Sequence, residues 1–287
     1  MIKIYNRQTK KYEEEIQYQE RLLVFLYKTK IGRILLKIII LPFVSKLYRK
    51  YNNTKTSTKK IKSFIENNKI KKEEFEEKEY QSFNDFFKRK IKLENRPLPK
   101  ENFLISPADS KLLVYKIEKN LHLNIKNTIY TLNELVNNEI DLSEYKNGYC
   151  LIFRLSMDDY HRYCYIESGK IKREGKIKGK LHTISSISKD YKVYKENTRE
   201  YCIIQTNDNQ EMIQIEVGAI LVGKIQNNHQ STFIRGEEKG YFELGGSTII
   251  ILLKANAVKI DSDILQNSKK EIETKVKYRE RIGEKLC

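Results

Sequence analysis

Apolar positions recur in two different rhythms along the chain. Up to about residue 95 they fall at helical spacing among dense Lys and Glu, with no Gly after Gly32, which predicts helices. Within this stretch the run Arg21–Lys28 is followed by Arg33–Lys50, both rich in Leu, Ile, Val and Phe. Arg33 and Lys37 are four apart, as are Lys46 and Lys50, so each pair lines one helical face while the apolar residues fill the other. Pro42 separates the run into two pieces. Ser82-Phe83-Asn84-Asp85 has the form of a capping box and predicts a helix through Arg89. Arg96-Pro97-Leu98-Pro99 ends the helical texture, because Pro lacks an amide hydrogen and restricts the residue before it. The expected division is a helical region over 1–98 and a second domain over 99–287.

From about residue 103 the rhythm shortens to β-branched and aromatic runs between turn residues. Candidate strands are Leu112–Ile117, Tyr149–Leu155, Ile177–Leu181, Tyr201–Gln205, Met212–Val217, Ile220–Ile225 and Thr248–Leu253. The stretch Lys170–Lys180 alternates Lys and Arg with Ile171 and Ile177, as a solvated strand or hairpin face would. The fold class expected is α+β: a helical N-terminal region beside a β-rich catalytic domain.

Charge changes the picture more than composition does. The 287 residues carry 55 Lys and Arg against 38 Asp and Glu, a formal net charge of +17. With 39% hydrophobic residues the chain can bury a core, which excludes a wholly disordered protein. Cys150, Cys164, Cys202 and Cys287 have no framework spacing and read as reduced thiols. The N-terminus lacks the pattern of a secretory signal. The longest apolar stretch, Ile34–Val44, is interrupted by Lys37 and Pro42 and falls short of the ~20 residues a spanning helix needs. Excess positive charge suits nucleic acid or anionic lipid alike. Its placement beside the apolar run of residues 21–50 favours lipid, so the expectation is a peripheral protein on the cytoplasmic side of the cell membrane that binds no nucleic acid. The plainer alternative packs the same helices on the protein's own core.

Three segments carry candidate chemistry. His161 lies in Asp158-Asp159-Tyr160-His161-Arg162, just after a predicted strand, a position suited to proton transfer near neutral pH. Gly245-Gly246-Ser247 places a hydroxyl after a pair that bends freely. Ser106-Pro107-Ala108-Asp109 presents a carboxylate before a strand. Asp109, His161 and Ser247 suit a relay whatever their chain order. Equally, Gly245-Gly246-Ser247 reads as an ordinary turn and Asp109 as an Asx-turn residue. A serine hydrolase using an intact Ser247, or a basic lipid-binding protein without catalysis, therefore stays open. No zinc, phosphate-loop, dinucleotide or nucleophile-elbow signature occurs, so no metal is expected.

Taken together and in order, Ser82–Arg89 with Arg96-Pro97, Ser106-Pro107-Ala108-Asp109, Asp159-Tyr160-His161-Arg162 and Leu244-Gly245-Gly246-Ser247-Thr248 resemble the phosphatidylserine decarboxylases, from about residue 20 to the C-terminus. The resemblance implies a proenzyme that cuts itself between Gly246 and Ser247. It would leave a β chain, 1–246, and an α chain, 247–287, whose first residue becomes a covalent pyruvoyl cofactor. His161 would then be the base for Ser247, with Asp109 holding its tautomer. The amine of phosphatidylserine would form a Schiff base with the pyruvoyl group, CO2 would leave, and phosphatidylethanolamine would be released after protonation, with His161 as candidate donor. A homodimer is implied as well.

Two positions depart from the family pattern. Cys164 stands where many members have a second His, and Ser110 where a Gly is usual. Arg162, Cys164, His182 and Gly245 are expected neighbours of the site, Arg162 either as an anchor for substrate carboxylate or phosphate or in a structural salt bridge.

Overall fold

A computed structural model describes residues 2–15, 20–118, 120–125, 128–136, 138, 140–181, 193–219, 224–245 and 247–286. The chain opens with two strands, Ile2–Asn6 (β1) and Lys11–Glu15 (β2), then five helices, Glu20–Lys28 (α1), Lys30–Ile39 (α2), Pro42–Asn52 (α3), Lys59–Asn67 (α4) and Phe83–Phe87 (α5). Strands Phe103–Ile105 (β3), Ser110–Lys116 (β4), His122–Ile125 (β5) and Thr128–Thr131 (β6) follow, then helix Leu132–Leu135 (α6). Next come Tyr149–Leu155 (β7), Arg162–Cys164 (β8), Gly169–Ile177 (β9) and helix Val193–Glu196 (α7). Strands Arg199–Thr206 (β10), Glu211–Gly218 (β11), Lys224–Asn227 (β12), Thr232–Phe233 (β13), Glu238–Glu243 (β14) and Ser247–Leu253 (β15) lead to Val258–Ile260 (β16), helix Ser262–Lys269 (α8), Glu273–Val276 (β17) and Arg281–Lys285 (β18).

Ten strands form one sheet in the order β13-β9-β10-β11-β15-β7-β4-β17-β1-β2. Strand β15 is central and antiparallel to both neighbours, β11 and β7. Its continuous apolar run follows from burial on both faces. Ile249, Ile251 and Leu253 join Leu151, Phe153 and Leu155 in one core, and Ile250 and Leu252 join Cys150, Ile152, Ile213 and Ile215 in the other. Two three-stranded sheets, β12-β14-β8 and β16-β18-β3, complete the β-rich part. Residues 247–287 thus supply strands hydrogen-bonded on both sides to the rest of the chain: β15 to β11 and β7, and β17 to β4 and β1.

The α+β class is the observed one, but residues 2–15 depart from the helical reading of the first 98. They form a hairpin in which β1 runs parallel to β17. Ile4 and Asn6 point inward while Lys3 and Tyr5 lie outward, the alternation of an outer strand. The strand expected at Ile177–Leu181 lies earlier, over Gly169–Ile177, where β9 pairs with β10 and shows water its Lys170, Lys172, Arg173 and Lys176 side chains. Of the expected strand Ile220–Ile225, residues 220–223 lie outside the described residues, and β12 begins at Lys224. Strand β7 has the expected bounds, and β15 begins one residue before the expected Thr248. Cys150, Cys164 and Cys202 are buried free thiols, and Cys287 lies outside the described residues.

Helices α1 to α3 break where the sequence pattern puts Pro42 and Thr29, whose hydroxyl accepts from the Gly32 amide at 2.9 Å. A Cβ at Gly32 would lie 2.0 Å from the Phe25 carbonyl oxygen, so only Gly lets α2 approach α1 this closely. On α2, Gly32 and Leu36, followed by Ile40, face inward, while Ile31, Ile34, Leu35 and Ile38 are exposed, flanked by Lys30, Arg33 and Lys37. Among the described residues no helix is long and apolar enough to cross a membrane.

Candidate active site

The segment that precedes β15 is anchored from the helical side. Ser82 caps α5 by accepting the Asp85 amide at 3.1 Å, and the Phe83 amide donates to Ser57 Oγ at 2.9 Å. This sets Phe83, Phe86 and Phe87 beside Phe64, and Leu244 is buried among them. Arg49 of α3 pairs with Glu243 at 3.4 Å. Gly245 has φ +128°, a conformation that L side chains rarely adopt. Gly246 lies outside the described residues. Ser247 then enters the sheet opposite Gly218 and Leu155, fully buried, and its Oγ has no hydrogen-bond partner.

His161 comes from the turn that leaves β7 directly after Leu155, so it belongs to the same sheet end as Ser247. Its carbonyl accepts the Phe242 amide at 2.9 Å, and its ring lies 4.2 Å from that of Phe87. Nδ1 is 2.9 Å from the Asp159 carbonyl oxygen. A carbonyl only accepts, so Nδ1 carries the hydrogen and Nε2 presents its lone pair. Nε2 is buried and without a partner. Burial pushes the imidazole down to about 3, assisted by Arg89 and Lys111 and opposed by the Asp159 carbonyl, so the ring is neutral.

Asp109 does not hold the His161 tautomer. Its carboxylate accepts from the Tyr278 amide at 2.7 Å and from Lys277 Nζ at 3.1 Å, with Arg96 at 3.5 Å. Burial alone would raise this carboxyl, but Lys277, Arg96 and the Tyr278 amide outweigh it and hold it below the ordinary carboxylate range. The reason lies in topology: the turn carrying Asp109 faces residues 277–278, just after β17. Arg162 forms the structural salt bridge, to Glu238 at 2.7 Å, and also donates to the Lys88 carbonyl at 2.9 Å. Cys164 is in the core, its thiol pushed up to about 12 by burial and 3.9 Å from the Ser106 carbonyl. His182 lies outside the described residues.

Comparison with known proteins bears on this geometry. The model of the phosphatidylserine decarboxylase family matches residues 83–284. The chain belongs to that family. It is 54% identical to phosphatidylserine decarboxylase proenzyme 2 of Clostridium acetobutylicum over 99% of this chain and 98% of that one. It is 41% identical to the phosphatidylserine decarboxylase proenzyme of Clostridium tetani, covering 100% of this chain and 99% of the other. The proenzyme of Clostridium botulinum strain Alaska E43 is 39% identical over the whole of both.

In this phosphatidylserine decarboxylase family member, several residues around His161 escape a reading of the motifs alone. Asp159 accepts the Ser156 amide and Lys111 Nζ, both at 2.7 Å on Oδ2. Arg89 is buried over the Phe75 and Phe86 rings and reaches the Asp158 and Asp159 carbonyls at 3.4 Å. Lys111 carried a legible signal, a cation at a position of β4 whose neighbours Leu112 and Leu113 are both core. Arg89 carried none, since a Lys/Arg-rich helix end is ordinarily solvated.

Proposed function

We propose that the chain is a self-processing decarboxylase that converts phosphatidylserine to phosphatidylethanolamine and CO2 at a membrane surface. Family membership supports the reaction, and one observation carries the site assignment: His161 Nε2 and Ser247 Oγ are two buried polar atoms without partners at one end of the sheet. Burying such atoms unpaired costs ~1–3 kcal/mol each, which a fold retains where the atoms have work to do.

His161 Nε2 takes the proton of Ser247 Oγ, which adds to the Gly246 carbonyl. The carbon–nitrogen bond breaks, the freed amine takes the proton, and residue 246 is held as an ester on Oγ. Loss of the Ser247 α-proton then expels the residue 246 carboxylate, and hydrolysis of the resulting enamine releases ammonia and leaves a pyruvoyl group on the α chain. Gly245 holds the approach to Ser247 in a conformation closed to bulkier residues. Once formed, that group supplies the electron sink for loss of the substrate carboxylate. The buried, neutral His161 is the residue available to return a proton to the α-carbon. Phe87, itself packed in the cluster with Leu244, lies against the imidazole and keeps that side of it dry. The α and β chains stay together after the cut, because β15 and β17 are each paired on both sides with strands of the β chain.

The substrate is reached from α1 to α3, which expose Phe25, Ile31, Ile34, Ile38, Phe43 and Leu47 among exposed Lys28, Arg33, Lys37, Lys46 and Lys50. Apolar side chains entering the acyl boundary with cations at the headgroups describe an interfacial surface. Tyr48 of α3 packs against the cluster that holds Leu244 and Arg49 pairs with Glu243, contacts that support a route from these helices to the Ser247 segment. The test is turnover. Purified protein given phosphatidylserine vesicles should release CO2 and phosphatidylethanolamine, and Ser247→Ala should release neither; equal turnover by Ser247→Ala would overturn the proposal.

A further inference from the structure

A cavity of about 350 Å³ lies between α4, the segment over residues 70–80 and the end of α5, and the reaction scheme leaves it unused. Ile61 and Ile65, four apart on α4, form one wall. Phe75 and Phe86, both buried, form the floor together with Arg89. At the rim, exposed Lys72 and Lys78 stand against exposed Glu76 and Glu77, so the charges there balance. Among the described residues, none that lines the cavity belongs to the segments that carry His161 and Ser247.

The floor gives the cavity its sign. Arg89 is 3% exposed and forms no ion pair among the described residues. Its Nη2 reaches only the neutral carbonyls of Asp158 and Asp159, at 3.4 Å each, while Nε and Nη1 are buried with no hydrogen-bond partner. The Phe75 and Phe86 rings, 4.5 and 5.0 Å from the guanidinium carbon, replace part of its lost hydration but supply no anion. Burial lowers its pKa from the ordinary value, yet an Arg stays charged, so the cation keeps unmet donors beside an apolar hollow. The complement of that pairing is an acyl chain that ends in an anion.

We propose that this cavity is an accessory site for a single-chain anionic amphiphile, an acyl chain bearing one carboxylate or phosphate, with the chain along Ile61, Ile65 and Phe75 and the head drawn to Arg89. The volume stands at the low end of the ~300–1,000 Å³ of small-molecule sites, which suits one chain and not the two of a membrane phospholipid. The site does not depend on the chemistry at Ser247. It does touch the same packing, because Phe86 also belongs to the cluster that holds Phe87 and Leu244. An occupant therefore braces the apolar side of the segment that leads to Ser247.

The experiment is calorimetric titration of the purified full chain with dodecanoate and dodecyl phosphate, each below its micelle concentration, with dodecanol and dodecyltrimethylammonium as the neutral and cationic probes. Wild type should take up one anionic probe per chain at least tenfold more tightly than either of the other two, and the tighter anion names the head that the site prefers. Arg89→Met should bind the anions at least tenfold more weakly and keep its affinity for dodecanol, a split that mere loosening of the cavity would not give. Ile65→Trp, which fills the cavity, should lose the tight anion site, with circular dichroism confirming the fold of each variant. No preference for anions in wild type, or equal anion binding by wild type, Arg89→Met and Ile65→Trp, overturns the inference. Binding that survives Ile65→Trp but is lost in Ile34→Glu places the probe on α2 and overturns it too. If Arg89→Met fails to fold, Ile65→Trp decides alone: loss of the tight site supports the inference and retention overturns it.

Discussion

Ile31, Ile34, Ile38 and Phe43 each stand more than half exposed on and around α2 and α3, while Lys111, Arg154, Asp159 and Glu273 lie buried beneath His161. Both arrangements run against the ordinary distribution of polarity, in opposite senses. Exposed Ile and Phe cost solubility unless a low-dielectric phase covers them, and buried charge costs several kcal/mol per ion unless partners surround it. Among the described residues those side chains on the helices stay exposed, whereas every ion below His161 has a partner within 3.1 Å. On the reading proposed above, the first region serves a surface outside the protein, and the second gives rigidity inside it.

Breaking the inner region has the largest expected effect. His161→Ala removes a general base worth about 10² to 10⁴ in rate, so self-cleavage followed over time should slow by that factor, and a rate within twofold of wild type would deny His161 the role. The outer region should respond separately. Ile34→Glu with Ile38→Glu deletes two apolar contacts with lipid, each worth ~1.5–3 kcal/mol when fully buried, and should weaken pelleting with phosphatidylserine vesicles by at least tenfold while self-cleavage proceeds unchanged. Added salt should weaken the wild-type interaction as well, because the flanking cations are exposed.

The smallest effect concerns acid stability. His161 is held at about 3 against an ordinary 6.5, so the unfolded chain binds the proton that the folded one refuses. Stability is present above pH 6.5 and is lost as pH falls from there toward 3. In a Ser247→Ala background, urea unfolding of His161→Gln should lose less stability between pH 7 and 4.5 than its parent. Equal losses would contradict a buried neutral imidazole.

Much of this was legible in the sequence where burial is one-sided or complete. Cys150–Phe153 and Ile249–Leu253 are unbroken apolar runs because both faces of β7 and β15 are covered, and Pro42 and Ser82 mark helix starts by local chemistry alone. The hairpin was hidden because Lys11–Glu15 is nearly all charged, being an edge strand whose register comes from β1 and not from its own pattern. The motifs point to His161, Ser247 and Gly245, yet spacing cannot say which carboxylate meets which imidazole. Asp109 and Asp159 both lie in turns next to a strand end, and only the register of β4 against β17 and β7 sends the first to Lys277 and leaves the second beside His161.

Mass spectrometry of the purified wild-type protein under denaturing conditions probes the scission most directly. The account predicts two chains, 1–246 and 247–287, the smaller one blocked to N-terminal sequencing and reactive with a carbonyl reagent. A folded protein that stayed a single 34.2 kDa chain with no reactive ketone would contradict it.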